Sequence, residues 1–113
     1  MTQQELLSQL NPETSLNDVQ EYIKKVIAIR GFAKQSIQAS MLLFLEETGE
    51  LAKAIRKTSG MHIDLKKLQN YDTVESEVAD VLILLLSICN TLGINIFDAL
   101  IEKEMINCER DWR

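Results

Sequence analysis

Two acidic pairs carry most of the chemistry legible in this chain. Glu47 and Glu50 stand three positions apart in Glu46-Glu47-Thr48-Gly49-Glu50-Leu51, and Glu77 and Asp80 repeat the spacing in Glu77-Val78-Ala79-Asp80-Val81. On an α-helix, residues three apart project from one face. Each pair therefore presents two carboxylates in one direction. Each also sits inside a strongly apolar stretch, where bare negative charge is costly unless a cation or hydrogen bonds offset it. Clustered carboxylates repel and tend to take up protons, and a metal ion removes that penalty. Two facing helices with such pairs would make an all-oxygen cage, the donor set that hard cations such as Mg²⁺ or Mn²⁺ prefer.

A single Glu-x-x-Glu is usually a solvated helix face. Two of them, each embedded in apolar helix, shift the reading to metal binding. Di-iron bundles place Glu-x-x-His on two of their helices. Here no His follows a helix Glu by three, since the one histidine, His62, falls in a linker. Zinc would call for His or Cys. Mg²⁺ keeps waters and shares substrate phosphates, which directs attention to cations. Lys103, Asn107 and Arg110 recur at i, i+4, i+7 and could hold phosphate oxygens, Arg as a planar fork and Lys as a point charge. The plainer reading is a solvated polar face. Lys53, Arg56 and Lys57 share that ambiguity, and the last two also suit the C-terminal end of their helix dipole. Phe32 and Trp112 could stack on a base, with core packing the plainer expectation. No GxxxxGK[ST] loop, GxGxxG turn or GxSxG elbow is present, so the common nucleotide-fold routes are absent.

The elements that must position these residues are helical. One Pro and four Gly in 113 residues leave few breakers, and no strand-like alternation of useful length occurs. A short helix or arm occupies residues 1–14, with Thr2 and Glu5 at capping-box spacing and Asn11-Pro12 as its stop. A second helix is expected from about Ser15 to Arg30, with Val19, Ile23, Val26 and Ile27 as its stripe and Gly31 after it. The third covers roughly Gln35 to Thr58. Its Met41, Phe44, Leu45, Leu51, Ala52 and Ile55 fill one arc, and Glu46, Glu50, Lys53 and Lys57 the opposite one, with Glu47 at its edge. Residues 59–72 read as a linker. The fourth helix starts near Thr73 and is apolar almost all round from Val81 to Cys89, which implies burial on every side. The last runs from about Ile96 to Arg110, with Phe97, Ile101, Met105, Cys108 and Trp112 along its apolar face. The expected fold is all-α: a single domain over residues 15–113 forming a bundle of four main helices. So apolar a fourth helix in so small a chain implies packing on another subunit, in a dimer or tetramer.

The net charge of −5 and pI near 4.8 leave no basic surplus for a nucleic-acid backbone. The longest apolar run, residues 81–89, falls far short of a bilayer span. Cys89 and Cys108 have no CxxC spacing, and no signal peptide is expected before them. Both are expected to be reduced core residues of a cytoplasmic protein that binds neither nucleic acid nor membrane.

The order Glu47-x-x-Glu50, 26 intervening residues, Glu77-x-x-Asp80 resembles the metal motif of the MazG-like all-α nucleoside triphosphate pyrophosphohydrolases. The flanking words Leu45-Glu46-Glu47-Thr48-Gly49-Glu50-Leu51-Ala52 and Glu77-Val78-Ala79-Asp80-Val81-Leu82, and the tail Lys103-x-x-x-Asn107-x-x-Arg110, are similar too. The resemblance covers roughly residues 17 to 112. It implies Mg²⁺-dependent cleavage of a nucleoside triphosphate between its α and β phosphates, to monophosphate and pyrophosphate, in nucleotide-pool house-cleaning. It implies Mg²⁺, with Mn²⁺ as substitute, on Glu47, Glu50, Glu77 and Asp80. Glu46 would lie near the attacking water as base or outer ligand. Lys103, Asn107 and Arg110 would be phosphate-side residues, with Lys53 a looser candidate. The family also implies homodimers or dimer-built tetramers. Two other readings compete: a non-catalytic helical module that dimerises or senses nucleotides, and a related metal-dependent phosphohydrolase acting on another phosphorylated nucleotide.

Overall fold

A computed structural model describes residues 1–58 and 73–112. The expected linker 59–72, with His62, lies outside them. Among the described residues there are five helices and no strand: α1 (Gln3–Ser8), α2 (Leu16–Ile29), α3 (Ile37–Thr58), α4 (Val74–Leu92) and α5 (Ile96–Cys108). The all-α class is thus borne out. No single helix among them is long and apolar enough to cross a membrane.

Local chemistry sets the helix ends. Thr2 Oγ1 accepts the Glu5 N–H at 3.1 Å, Ser15 Oγ that of Asp18 at 3.0 Å, Thr73 Oγ1 that of Ser76 at 3.1 Å and Asn95 Oδ1 that of Asp98 at 2.9 Å. Each satisfies an N–H that the first turn would leave without a partner, typically worth about 1 kcal/mol. Gly31 and Gly93 adopt φ of 85° and 69° just after α2 and α4. Beyond them, the Phe32 N–H reaches back to the Ile27 carbonyl at 3.0 Å and the Ile94 N–H to that of Cys89 at 2.9 Å. These are Schellman closures, which favour glycine at the left-handed position.

The chain divides into two compact units, Met1–Gln35 with Leu86–Arg113, and Ser36–Leu85. In the first, α2 packs against α1 and α5. Leu6, Ile23, Val26, Leu86 and Cys89 are buried, and Val19 and Ile27 are half-buried, so the α2 stripe is as expected. Gln20 shares that stripe and is also buried. Its Nε2 donates to Asn90 Oδ1 at 3.0 Å and to the Ile94 carbonyl at 2.7 Å, and its Oε1 accepts the Ile96 N–H at 2.9 Å. Asn90 Nδ2 in turn donates to the Gln20 carbonyl at 3.2 Å. This clasp ties α2 to the corner between α4 and α5.

In the second unit, the buried residues are Ser40, Ala54 and Glu77, with Phe44, Glu47 and Leu51 half-buried. The expected apolar arc of α3 is only partly covered, because Met41, Leu45, Ala52 and Ile55 are exposed. The buried Ser40 and Ala54 and the half-buried Glu47 recur every seven residues on one side of α3.

Three further expectations change within the single chain. Burial on every side of Val81–Cys89 is not observed, since Leu82 and Leu85 are exposed while Leu86 and Cys89 are buried. Helix α5 has no buried residue, and Phe97, Ile101, Met105 and Trp112 are all exposed. Cys108 is exposed rather than part of the core. An apolar stripe marks a face that gains by being covered; it does not identify the cover.

Candidate metal centre

Glu47 lies on the enclosed side of α3, and Glu77 lies in the first turn of α4 beyond the Thr73 cap. The positive end of the α4 dipole favours a carboxylate at that place. Asp80 follows three residues later on the same face and is half-buried. One carboxylate oxygen from each of Glu47, Glu77 and Asp80 lies within 4.8 Å of the others, and Glu77 is only 4% exposed.

Two oxygens on one octahedral Mg²⁺ at about 2.1 Å are separated by about 3.0 Å when adjacent and about 4.2 Å when opposed. The cluster spans 4.8 Å at most, so small side-chain rotations bring all three oxygens onto one ion. Three negative charges this close repel, and water cannot solvate the buried one fully. The donor set is oxygen only, which fits a hard divalent cation.

The other sequence-predicted residues are distributed differently. Glu50, one turn beyond Glu47, is exposed and does not join the three-oxygen group. Glu46 is exposed, and Lys53 is half-buried, further along α3. Lys103, Asn107 and Arg110 belong to the other compact unit, where Lys103 and Arg110 are exposed and Asn107 is half-buried. Asn107 Nδ2 donates to Glu104 Oε1 at 3.3 Å. The Asn107 carbonyl accepts the Arg110 N–H at 3.2 Å and the Trp112 indole N–H at 3.1 Å. The Arg110 guanidinium carbon sits 4.6 Å from the Trp112 ring centroid.

A cleft of about 500 Å³ between α1 and α2, bordered by Glu13, Asp18, Glu21 and Lys25, contains none of the predicted site residues. Sequence reasoning passed over Gln20. The available signal was a long amide in register with Ile23 and Val26 on an otherwise apolar stripe, where an amide persists only if its hydrogen bonds are met.

Residues 35–107 match the profile of the MazG nucleotide pyrophosphohydrolase domain. The matched stretch contains all three clustered carboxylates and ends at Asn107, leaving Arg110 and Trp112 beyond it. No curated protein and no solved structure matches the chain.

Proposed function

The chain belongs to the MazG nucleotide pyrophosphohydrolase family, and from that premise we propose that it hydrolyses nucleoside triphosphates to monophosphate and pyrophosphate in a Mg²⁺-dependent reaction. The observation that carries this reading is the cluster of Glu47, Asp80 and the buried Glu77. These three residues would hold Mg²⁺, with Mn²⁺ as substitute, and Glu50 would be a further ligand. Bound there, the ion would supply polarisation of the phosphoryl group and countercharge for pyrophosphate.

The chain's own groups do the rest. Glu46, exposed and adjacent in sequence to Glu47, orients the attacking water and takes its proton. As the water oxygen bonds to the α-phosphorus, the bond from that phosphorus to the bridging oxygen breaks, and the bridging oxygen leaves with pyrophosphate. Lys53 offers positive charge to the phosphate oxygens, and Lys103 and Asn107 of α5, with Arg110 just beyond its end, form the rest of the substrate-binding set. The contribution of the protein is placement and charge.

The working form is a homodimer or homotetramer acting on cytoplasmic nucleotide pools. The support for assembly is exposed apolar surface on successive turns of α4 and α5, including Val78, Leu82, Leu85, Phe97, Ile101 and Met105.

The test is hydrolysis of canonical and damaged nucleoside triphosphates with Mg²⁺, with and without chelator, with products resolved by chromatography. Monophosphate plus pyrophosphate, abolished by chelator, is the expected result. Orthophosphate instead of pyrophosphate would overturn the cleaved bond. Mg²⁺-induced stabilisation without turnover of any substrate would overturn the enzyme reading.

A further inference from the structure

The corner where α2 meets the turn between α4 and α5 carries a further cleft, of about 230 Å³. Asn17, Gln20, Glu21, Lys24, Asn90 and Asn95 border it. All six lie in the first compact unit. None is assigned to the metal centre or to the proposed hydrolysis.

Two backbone N–H groups fix the orientation of four side-chain amides here. A backbone N–H only donates, so the group facing it must be an amide oxygen. Gln20 Oε1 therefore faces the Ile96 N–H, and Asn95 Oδ1 the Asp98 N–H, both at 2.9 Å. The amide nitrogens are then fixed as well. Gln20 Nε2 donates to Asn90 Oδ1 and Asn95 Nδ2 to Asn17 Oδ1, both at 3.0 Å. The first of these bonds leaves Asn90 Nδ2 to meet the Gln20 carbonyl at 3.2 Å. A surplus of donors remains. Both N–H groups of the Asn17 amide, and one each on Asn90 and Asn95, have no partner among the described residues. A polar set already held in place binds a ligand at little further ordering cost.

Glu21 and Lys24 add one charge of each sign. They stand three apart on α2, a spacing that puts Cβ atoms about 5–6 Å from each other. Both are exposed, and no hydrogen bond or ion pair engages either charged group among the described residues. An anion would meet Glu21, and a cation would meet Lys24. An uncharged ligand would leave both without a counterpart. A small zwitterion answers both charges at once, and the spare amide donors call for an acceptor on the rest of it.

We propose that this cleft binds a free α-amino acid with a polar, uncharged side chain. Its ammonium pairs with Glu21, its carboxylate with Lys24, and its side-chain oxygen accepts from the amide of Asn17. Such a ligand bridges the elements that the Gln20 clasp already joins, so its binding stabilises the folded chain.

The experiment titrates the full chain with serine, threonine, asparagine and glutamine, and with leucine as an apolar comparison, by calorimetry and thermal unfolding. Ionic strength is fixed, and chelator is present so that no metal ion contributes. Saturable binding of a polar amino acid, with a rise in melting temperature, is expected, and leucine should bind more weakly. The N-acetyl derivative of the amino acid that binds lacks the ammonium, and its methyl ester lacks the carboxylate. Each should bind about tenfold more weakly or worse, as should Glu21→Gln and Lys24→Gln with the unmodified amino acid. Asn17→Leu should abolish the preference over leucine. Circular dichroism, and nucleotide turnover without added amino acid, should be unchanged in all three variants. No binding of any polar amino acid, undiminished binding of both blocked forms, leucine binding as tightly as the polar set, or wild-type affinity in Glu21→Gln and Lys24→Gln overturns the proposal.

Discussion

Glu47, Glu77 and Asp80 place one oxygen each within 4.8 Å of the others, Glu77 being 4% exposed, and the proposed divalent cation would offset the repulsion among them. Replacing Glu77 with Gln removes one charge and keeps the shape. Turnover should then fall by about 100-fold or more, by analogy with losing one electrostatic contact in an active site. Thermal unfolding with and without Mg²⁺ should show a much smaller rise on adding the metal for the variant than for the wild type. An undiminished rise would remove Glu77 from the metal centre. Cys89 makes a separate prediction. Burial pushes its thiol above the ordinary 9.0, opposed by a backbone hydrogen bond. A neutral form favoured by the fold contributes stability that is present below the unfolded pKa and lost as pH rises through the folded one. The thiolate is the reactive species. At pH 8 an alkylating reagent followed by mass spectrometry should therefore modify the exposed Cys108 first, and Cys89 only once the chain is denatured.

Helix boundaries were legible in the sequence, because caps act over three or four residues. Thr2 accepts the bond that its spacing with Glu5 announces, the helices expected from about Ser15 and Thr73 begin at those residues, and Gly31 follows its helix as expected. Helix faces were less so. Hydrophobic periodicity places Met41, Leu45 and Ile55 on one arc of α3, but only the position of α4 decides that the Glu47 side is the enclosed one. The two Glu and Asp pairs were legible as pairs, while the separation of Glu50 from the other three carboxylates depends on the rotation of α3. Gln20 belongs to this scale too, since it holds three elements at once. Gln20→Leu keeps bulk but deprives the Ile96 N–H and the Ile94 carbonyl of their partners. The expected cost is about 1–2 kcal/mol, because the groups left without partners are only partly buried and water can reach some of them. Urea unfolding with an unchanged m-value would measure it, and a loss below about 0.5 kcal/mol would show the clasp to be incidental.

Among the described residues much apolar helix is exposed, with Leu42, Leu45 and Leu82 at 68%, 55% and 46%. No single-chain pattern specifies where such surface goes, which is why the expected burial of α4 and α5 was not met within one copy. If a second copy covers α4, Leu82→Glu costs little in the isolated chain but places a charge in a dry contact. Light scattering coupled to size exclusion should give a dimer or larger for the wild type and a lower mass for Leu82→Glu. A wild-type monomer at tens of micromolar would rule out the proposed assembly.

The Gln20 clasp also bears on the order of folding events. Its partners lie 70, 74 and 76 positions away along the chain, whereas the caps and Schellman closures join residues at most five apart. Local turns close early, and a pairing across so long a loop waits until the entropy of closing it has been met. Gln20 is then expected to have a φ-value near zero. In stopped-flow experiments Gln20→Leu should leave the refolding rate almost unchanged and speed unfolding by nearly the whole of its equilibrium cost. The clasp is in that sense a latch: it does little to bring the native state about and much to determine how long it lasts.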